Sequence, residues 1–123
     1  MILQDKVAIV TGSAQGIGKG IALRFAREGA RVVVNSRNHD KVDATVDEIT
    51  KAGGVALGVV ADITSEADVT DMIARTLEVF GTIDVLVNNA RTNLDIGERG
   101  PFLRMNSAAW QAYMKANLGA LFF

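Results

Sequence analysis

The sequence predicts an α/β fold: a doubly wound, open parallel sheet of four strands in the order 3-2-1-4. Three observations carry this. Four short β-type runs, at 6–11, 31–35, 55–60 and 83–87, alternate with three helical patterns. The runs are nearly continuous in Val, Ile and Leu, as expected where both faces of a parallel sheet are covered. A glycine-rich turn joins the first run to the first helical pattern. Right-handed crossovers then build the sheet outward from its first strand and place a crevice at the carboxyl ends, between strands 1 and 4.

Taken in order, Val7-Ala8-Ile9-Val10 leads into Thr11-Gly12-Ser13-Ala14-Gln15-Gly16-Ile17-Gly18, and Ile21, Ala22, Phe25 and Ala26 continue at helical period. Gly12 takes a tight turn out of the strand. Gly16 lets a ligand approach the backbone, and Gly18 lets the helix pack on the strand. The free N–H groups of the first helical turn and the helix dipole favour a pyrophosphate above them. The spacing is Gly-x-x-x-Gly-x-Gly, distinct from Gly-x-Gly-x-x-Gly and from a Walker loop, which would need glycine at Ser13 and a hydroxyl at Gly20. By itself it also describes an ordinary strand-to-helix turn.

The first helix stops at Gly29. The second spans 38–52, with Val42, Val46 and Ile49 on one face, and stops at Gly53-Gly54. The third opens on Ser65-Glu66-Ala67-Asp68, a capping-box-like start. It is expected to carry Val69, Met72, Ile73, Leu77 and Phe80 inward and to stop at Gly81. A polar loop follows over 91–106 with the chain's one proline, Pro101; such a length without periodicity marks a functional loop. Trp110, Tyr113, Met114, Asn117, Leu118, Leu121 and Phe122 then return to helical period with no stop signal. The expectation is a single dinucleotide-binding domain over 1–123, cut inside its last helix.

Bulk composition sets bounds. A chain of 123 residues that is 49% hydrophobic and 22% charged is long enough for one buried core. Thirteen basic and fourteen acidic side chains leave no basic patch for nucleic acid. The sequence has no cysteine, which excludes disulfide and thiolate chemistry. No apolar run reaches membrane-span length and no signal-peptide pattern opens the chain, so a cytoplasmic protein is expected.

With these motifs placed, the chain resembles the classical short-chain dehydrogenase/reductase family over about 6–123, and so a Rossmann-like domain. Four matches in order carry the resemblance: Thr11-Gly12-x-x-x-Gly16-Ile17-Gly18; Asp62 after the third strand; Asn88-Asn89-Ala90 after the fourth; and Asn117 in the last helical stretch. The resemblance implies a dinucleotide over Gly12, Ser13, Gln15, Gly16, Ile17 and Gly18. It places Asp62 at the adenine amino group, with Ile63 beside it, and Asn89 and Ala90 at a ribose. Asn117 would hold a water in a catalytic proton relay. Each has a plainer alternative: an Asx turn for Asp62, turn formers for Asn88 and Asn89, an amide at a stripe's edge for Asn117.

Cofactor choice is read at the end of the second strand. NAD sites place an acid there for the ribose 2′-OH, and NADP sites a cation for the 2′-phosphate. Here the run is Asn35-Ser36-Arg37-Asn38. Ser36 stands at the acid's position, and Arg37, beside Asn38, suits a phosphomonoester. NADP is expected, NAD less so; solvated helix-start decoration is the plainer reading of Arg37.

Two departures stand out. Arg91 replaces the glycine that follows Asn-Asn-Ala in the family. The family's Ser and Tyr-x-x-x-Lys are not in the sequence, for Tyr113 is followed four residues on by Asn117, Lys115 falls on another helix face, and His39 is expected to face solvent. The resemblance thus implies the cofactor-binding half of an oxidoreductase that moves hydride between NADP(H) and a small carbonyl or alcohol, inactive as this chain alone. It also implies a homo-oligomer, since the last helix pairs between subunits in the family. A nonenzymatic dinucleotide-binding or interaction module is the alternative. A receiver-like signalling domain would need an acidic cluster where Thr11-Gly12 stands.

Overall fold

The computed structural model describes residues 1–90. The readings at Arg91, the 91–106 loop, Asn117 and the apolar stripe at 110–122 lie outside the described residues. Seven elements follow in strict alternation: β1 Val7–Val10, α1 Gly16–Arg27, β2 Arg31–Ser36, α2 His39–Lys51, β3 Val55–Val60, α3 Glu66–Phe80 and β4 Val85–Val87. All strand pairs are parallel, in the order β3-β2-β1-β4. In register, Val10 stands beside Val34 on one side and Val87 on the other.

Period-two side-chain direction splits the core between the two faces. Val10, Val32 and Val34 pack with Ala22 of α1 and with Val42 and Ile49 of α2. Ile9, Val33 and Val59 pack with Met72 of α3 on the opposite face. Among the described residues β1 and β2 are buried along nearly their whole length. Among the described residues Val55, Val60 and Leu86 are about half exposed, because β3 and β4 form the edges of the sheet.

β4 is also shorter than the run at 83–87. Asp84 closes onto β1 instead: its Oδ2 accepts from the Val7 amide at 2.8 Å, and its own amide donates to the Val7 carbonyl at 2.9 Å. Helix boundaries follow their local signals. Gly29 and Gly81 adopt φ of +90° and +81°. The side chains of Asn38 and Ser65 cap α2 and α3 by accepting from the amides of Lys41 and Asp68.

The inward stripe of α3 differs from expectation at one position. Val69, Met72 and Thr76 are buried, while Leu77 is 45% exposed. Leu77 lies one step of about 100° beyond Thr76 and so off the stripe. Thr76 is tolerated inside because its hydroxyl donates to the Met72 carbonyl at 2.8 Å. Among the described residues no helix is long and apolar enough to cross a membrane.

Candidate functional site

Where the crossovers reverse direction about β1, the loops after the strands enclose a hollow of about 370 Å³. Gly12, Ala14, Gln15, Gly16 and Ile17 line it after β1, and Asn35, Ser36 and Arg37 after β2. Ala61 and Ile63 come from the end of β3, Asn89 and Ala90 from the end of β4. Ser13, Gly18, Asn38 and Asp62 are not among its lining residues. Asn88 faces the other side of the sheet, at an apolar pocket with Ile9, Met72 and Leu86.

The three glycines do different work. Gly12 has φ +62°, and a Cβ there would stand 2.8 Å from Ala90 Cα. Gly16, which lines the hollow, has φ +59°, and among the described residues no atom lies within 4 Å of an added Cβ. At Gly18 an added Cβ would overlap the Gly12 carbonyl oxygen and Asn89 Nδ2. The close packing read at Gly18 is therefore against the turn itself and the β4 loop.

The N-terminus of α1 is built unlike those of the other two helices. Its cap residue, Gln15, makes no side-chain capping bond, and its first turn has no acidic residue. In α2 and α3 the cap side chain accepts from a first-turn amide, and Asp40, or Glu66 and Asp68, lie in that turn. The positive end of the α1 dipole is thus left to whatever enters beside Gly16.

Two residues hold the loops in register, and the sequence reading assigned neither a role. The hydroxyl of Thr11 donates to Val87 O and accepts from the amides of Asn89 and Ala90, both at 3.0 Å. Asn89 Nδ2 in turn donates to the Gly12 carbonyl at 3.2 Å. Asn35, 1% exposed, accepts from the Gly12 amide and donates to the carbonyls of Val59 and Ala61. Ser13 Oγ accepts from the Asn35 amide at 2.9 Å, so this buried hydroxyl is turned toward β2. The available signal was an amide closing the apolar run Val32-Val33-Val34, since a buried amide must find partners.

Asp62 forms the Asx turn that was its plainer alternative. Its Oδ1 accepts from both the amide and the hydroxyl of Thr64, at 2.8 and 2.7 Å. Those bonds, with a smaller contribution from the Arg37 charge, hold its pKa below the ordinary 3.8 against the opposing effect of burial. A depressed pKa gives stability that is full above the unfolded value and is lost as pH falls through the folded one. Asp62→Ala is therefore expected to cost about 1 kcal/mol at pH 7. The gap from the parent should close as the pH drops below about 4. Urea melts across that range measure it, and a gap unchanged at pH 2.5 would show that the carboxylate charge is irrelevant. His39 is exposed, with Nδ1 at 3.6 Å from Asp40 and 3.4 Å from Asp43. Among the described residues no group of three His, Asp or Glu side chains could hold a metal ion.

A glycine turn feeding an uncapped helix at the crossover point of a doubly wound sheet defines a Rossmann-like nucleotide-binding class of domain. The family model described as short chain dehydrogenase matches residues 6–123, and the chain belongs to that family. It is 44% identical over 122 residues to the (2S)-[(R)-hydroxy(phenyl)methyl]succinyl-CoA dehydrogenase subunit BbsD of Thauera aromatica, covering 99% of this chain and 48% of that protein. It is 45% identical over 91 residues to the short-chain dehydrogenase/reductase homolog YusS of Bacillus subtilis (strain 168), covering 73% of this chain and 84% of that one. Among solved structures, a metagenomic short-chain oxidoreductase in complex with NADP superposes with TM-score 0.83 at 36% identity, over 99% of this chain and 54% of that one. A 7α-hydroxysteroid dehydrogenase complexed with NADH and 7-oxo glycochenodeoxycholic acid superposes with TM-score 0.85 at 39% identity, over 98% and 45%. The chain spans about half the length of BbsD and of both solved structures.

Proposed function

We propose that this chain is the cofactor-binding part of a short-chain dehydrogenase/reductase that moves hydride between NADP(H) and a small carbonyl or alcohol. The observation that carries the reading is the uncapped N-terminus of α1 beside the empty side of Gly16. A pyrophosphate fits it: the amides are directed there, no carboxylate of that first turn competes, and any side chain at Gly16 would fill the space. Asn89 and Ala90 would bound the nicotinamide side and Ile63 the adenine side. Ile17, 78% exposed, offers an apolar face at the lip. When bound, the nicotinamide supplies or accepts the hydride. This chain's share is to bind and orient it, since the sequence contains no Tyr-x-x-x-Lys to move the accompanying proton. Self-association through the stripe at 110–122 belongs to the same proposal and rests on the resemblance.

NADP over NAD is the finer part of the reading, and of the two solved relatives one is a complex with NADP and the other with NADH. It rests on Ser36 and Arg37 at the hollow, where a 2′-OH-selecting acid would stand. Calorimetry on the chain should find NADP(H) bound more tightly than NAD(H). Arg37→Asp should weaken NADP(H) by about 1.5–3 kcal/mol, the scale of a hydrogen bond to a charged group. Equal or reversed affinities in the parent chain would sink the preference. A binding module without turnover is the second reading. It is favoured by the match to 84% of the Bacillus homolog over only 91 residues.

A further inference from the structure

In the order β3-β2-β1-β4, β2 separates β1 from β3, so the loops that follow those two strands are not neighbours. Both nevertheless line one hollow, the glycine turn through Gly12 and Gly16 and the end of β3 through Ala61 and Ile63. Two strand spacings put these loops about 10 Å apart across β2. Asn35, in β2 between them, hydrogen-bonds to both. Its Oδ1 accepts from the Gly12 amide at 3.3 Å, and its Nδ2 donates to the carbonyls of Val59 and Ala61, each at 3.2 Å. Backbone bonds reinforce each tie. The Asn35 carbonyl accepts from the Ser13 amide at 2.8 Å, and the Ala61 amide donates to the Ser36 carbonyl at 3.1 Å. Both Nδ2 hydrogens of this buried amide are taken up by protein carbonyls, which leaves the side chain no donor for a ligand. It is built as a strut.

We propose that Asn35 is a positioning residue for base recognition, fixing the wall from Ala61 to Ile63 at a set distance from the glycine turn. This rests on the dinucleotide reading of the hollow and adds to it a residue that acts through others. A diphosphate beside Gly16 and a base against Ala61 and Ile63 are joined through one ribose, so the spacing of the two loops decides whether both fit at once. Adenine presents a hydrogen-bond donor at its 6-position where hypoxanthine presents an acceptor. A wall held to within about 0.5 Å tells the two apart, and a wall free to shift accommodates either. The signature of Asn35 therefore lies in the choice of base, not in the affinity for the diphosphate.

The test is calorimetry on the full chain with adenosine 5′-diphosphate and inosine 5′-diphosphate, which share the ribose and the diphosphate. Asn35→Ser keeps a hydrogen-bonding oxygen on β2 but is too short to reach either loop, since the bonds from the longer amide are already 3.2–3.3 Å. The parent is expected to prefer the adenosine form by about 10-fold, the scale of one hydrogen bond. The serine variant should bring that preference down to about twofold as the wall loses its fixed position. A variant that had only lost stability would weaken both probes in proportion and leave their ratio unchanged. If circular dichroism shows the serine variant unfolded, the parent still decides by NMR. Its Asn35 side-chain amide protons should exchange more slowly when saturated with the adenosine form than with the inosine form, and equal exchange would overturn the proposal. A folded serine variant that keeps the full base preference would overturn the role of Asn35 and leave the dinucleotide reading standing. A parent that binds neither diphosphate would overturn that reading itself. One that binds both equally would remove the base wall, and Asn35 falls with it.

Discussion

Replacing Asn35 with leucine is expected to destabilise the chain by about 3–5 kcal/mol, since each buried polar group left unpaired costs about 1–3 kcal/mol. The side chain satisfies three backbone groups at once: the Gly12 N–H and the carbonyls of Val59 and Ala61. Leucine has a similar volume and none of these bonds, and Asn35 is too deeply buried for water to replace them. The loss is a large fraction of a domain stability of roughly 5–15 kcal/mol. It should also loosen the hollow, because Gly12, Ala61 and Asn35 itself line it. Asn35→Asp separates the contributions: it keeps an acceptor for Gly12 and removes both donors, setting a carboxylate against two carbonyl oxygens. Urea denaturation of the two variants measures the effect. A leucine variant within 1 kcal/mol of the parent would show that the three groups find other partners.

At Gly18 even a methyl group should be severe. An added Cβ overlaps the Gly12 carbonyl oxygen, which is backbone, and Asn89 Nδ2, which is itself bonded to that oxygen at 3.2 Å. Relief requires moving α1 off the glycine turn or breaking the Asn89 clasp, and either displaces the amides proposed to hold the pyrophosphate. Gly18→Ala is expected to cost more than about 2 kcal/mol, within the range for overpacking a close contact. Gly18→Val should abolish dinucleotide binding. Gly16→Ala is the informative contrast. Among the described residues it meets no atom, so its cost to folding there is the φ +59° conformation, about 1–2 kcal/mol for a residue with a Cβ. Its cost to binding should be larger, because the methyl stands in the hollow. Melting temperature and cofactor titration on both alanine variants distinguish the packing glycine from the cradle glycine. A Gly18→Ala chain as stable as the parent, with unchanged affinity, would overturn this assignment of roles.

What the sequence determined by itself was local and periodic. Apolar runs, helical stripes, the cap at Ser65 and the stops at Gly29 and Gly81 depend on neighbours within one or two turns. Given right-handed crossovers, they imply the order β3-β2-β1-β4 and put the hollow above Gly12, beside Ser36, Arg37 and Asn89. What only the tertiary structure decided depends on contacts between distant segments. Asn35 reads as one more polar residue at a strand's end until β1 and β3 flank β2 and bring Gly12, Val59 and Ala61 around its amide. Thr11 becomes a clasp only when β4 pairs with β1 and carries Asn89 and Ala90 to its hydroxyl. That Asp62 closes an Asx turn on Thr64 is a local outcome the structure shows, set by a side-chain direction that no periodicity encodes. Thr76 and Leu77 traded places because the true stripe of α3 is defined by the sheet it meets, and a helix pattern leaves that angle free by a residue. Lys41 reached Gln15 because two crossovers end side by side on one edge of the hollow, a proximity that exists only once the sheet has formed.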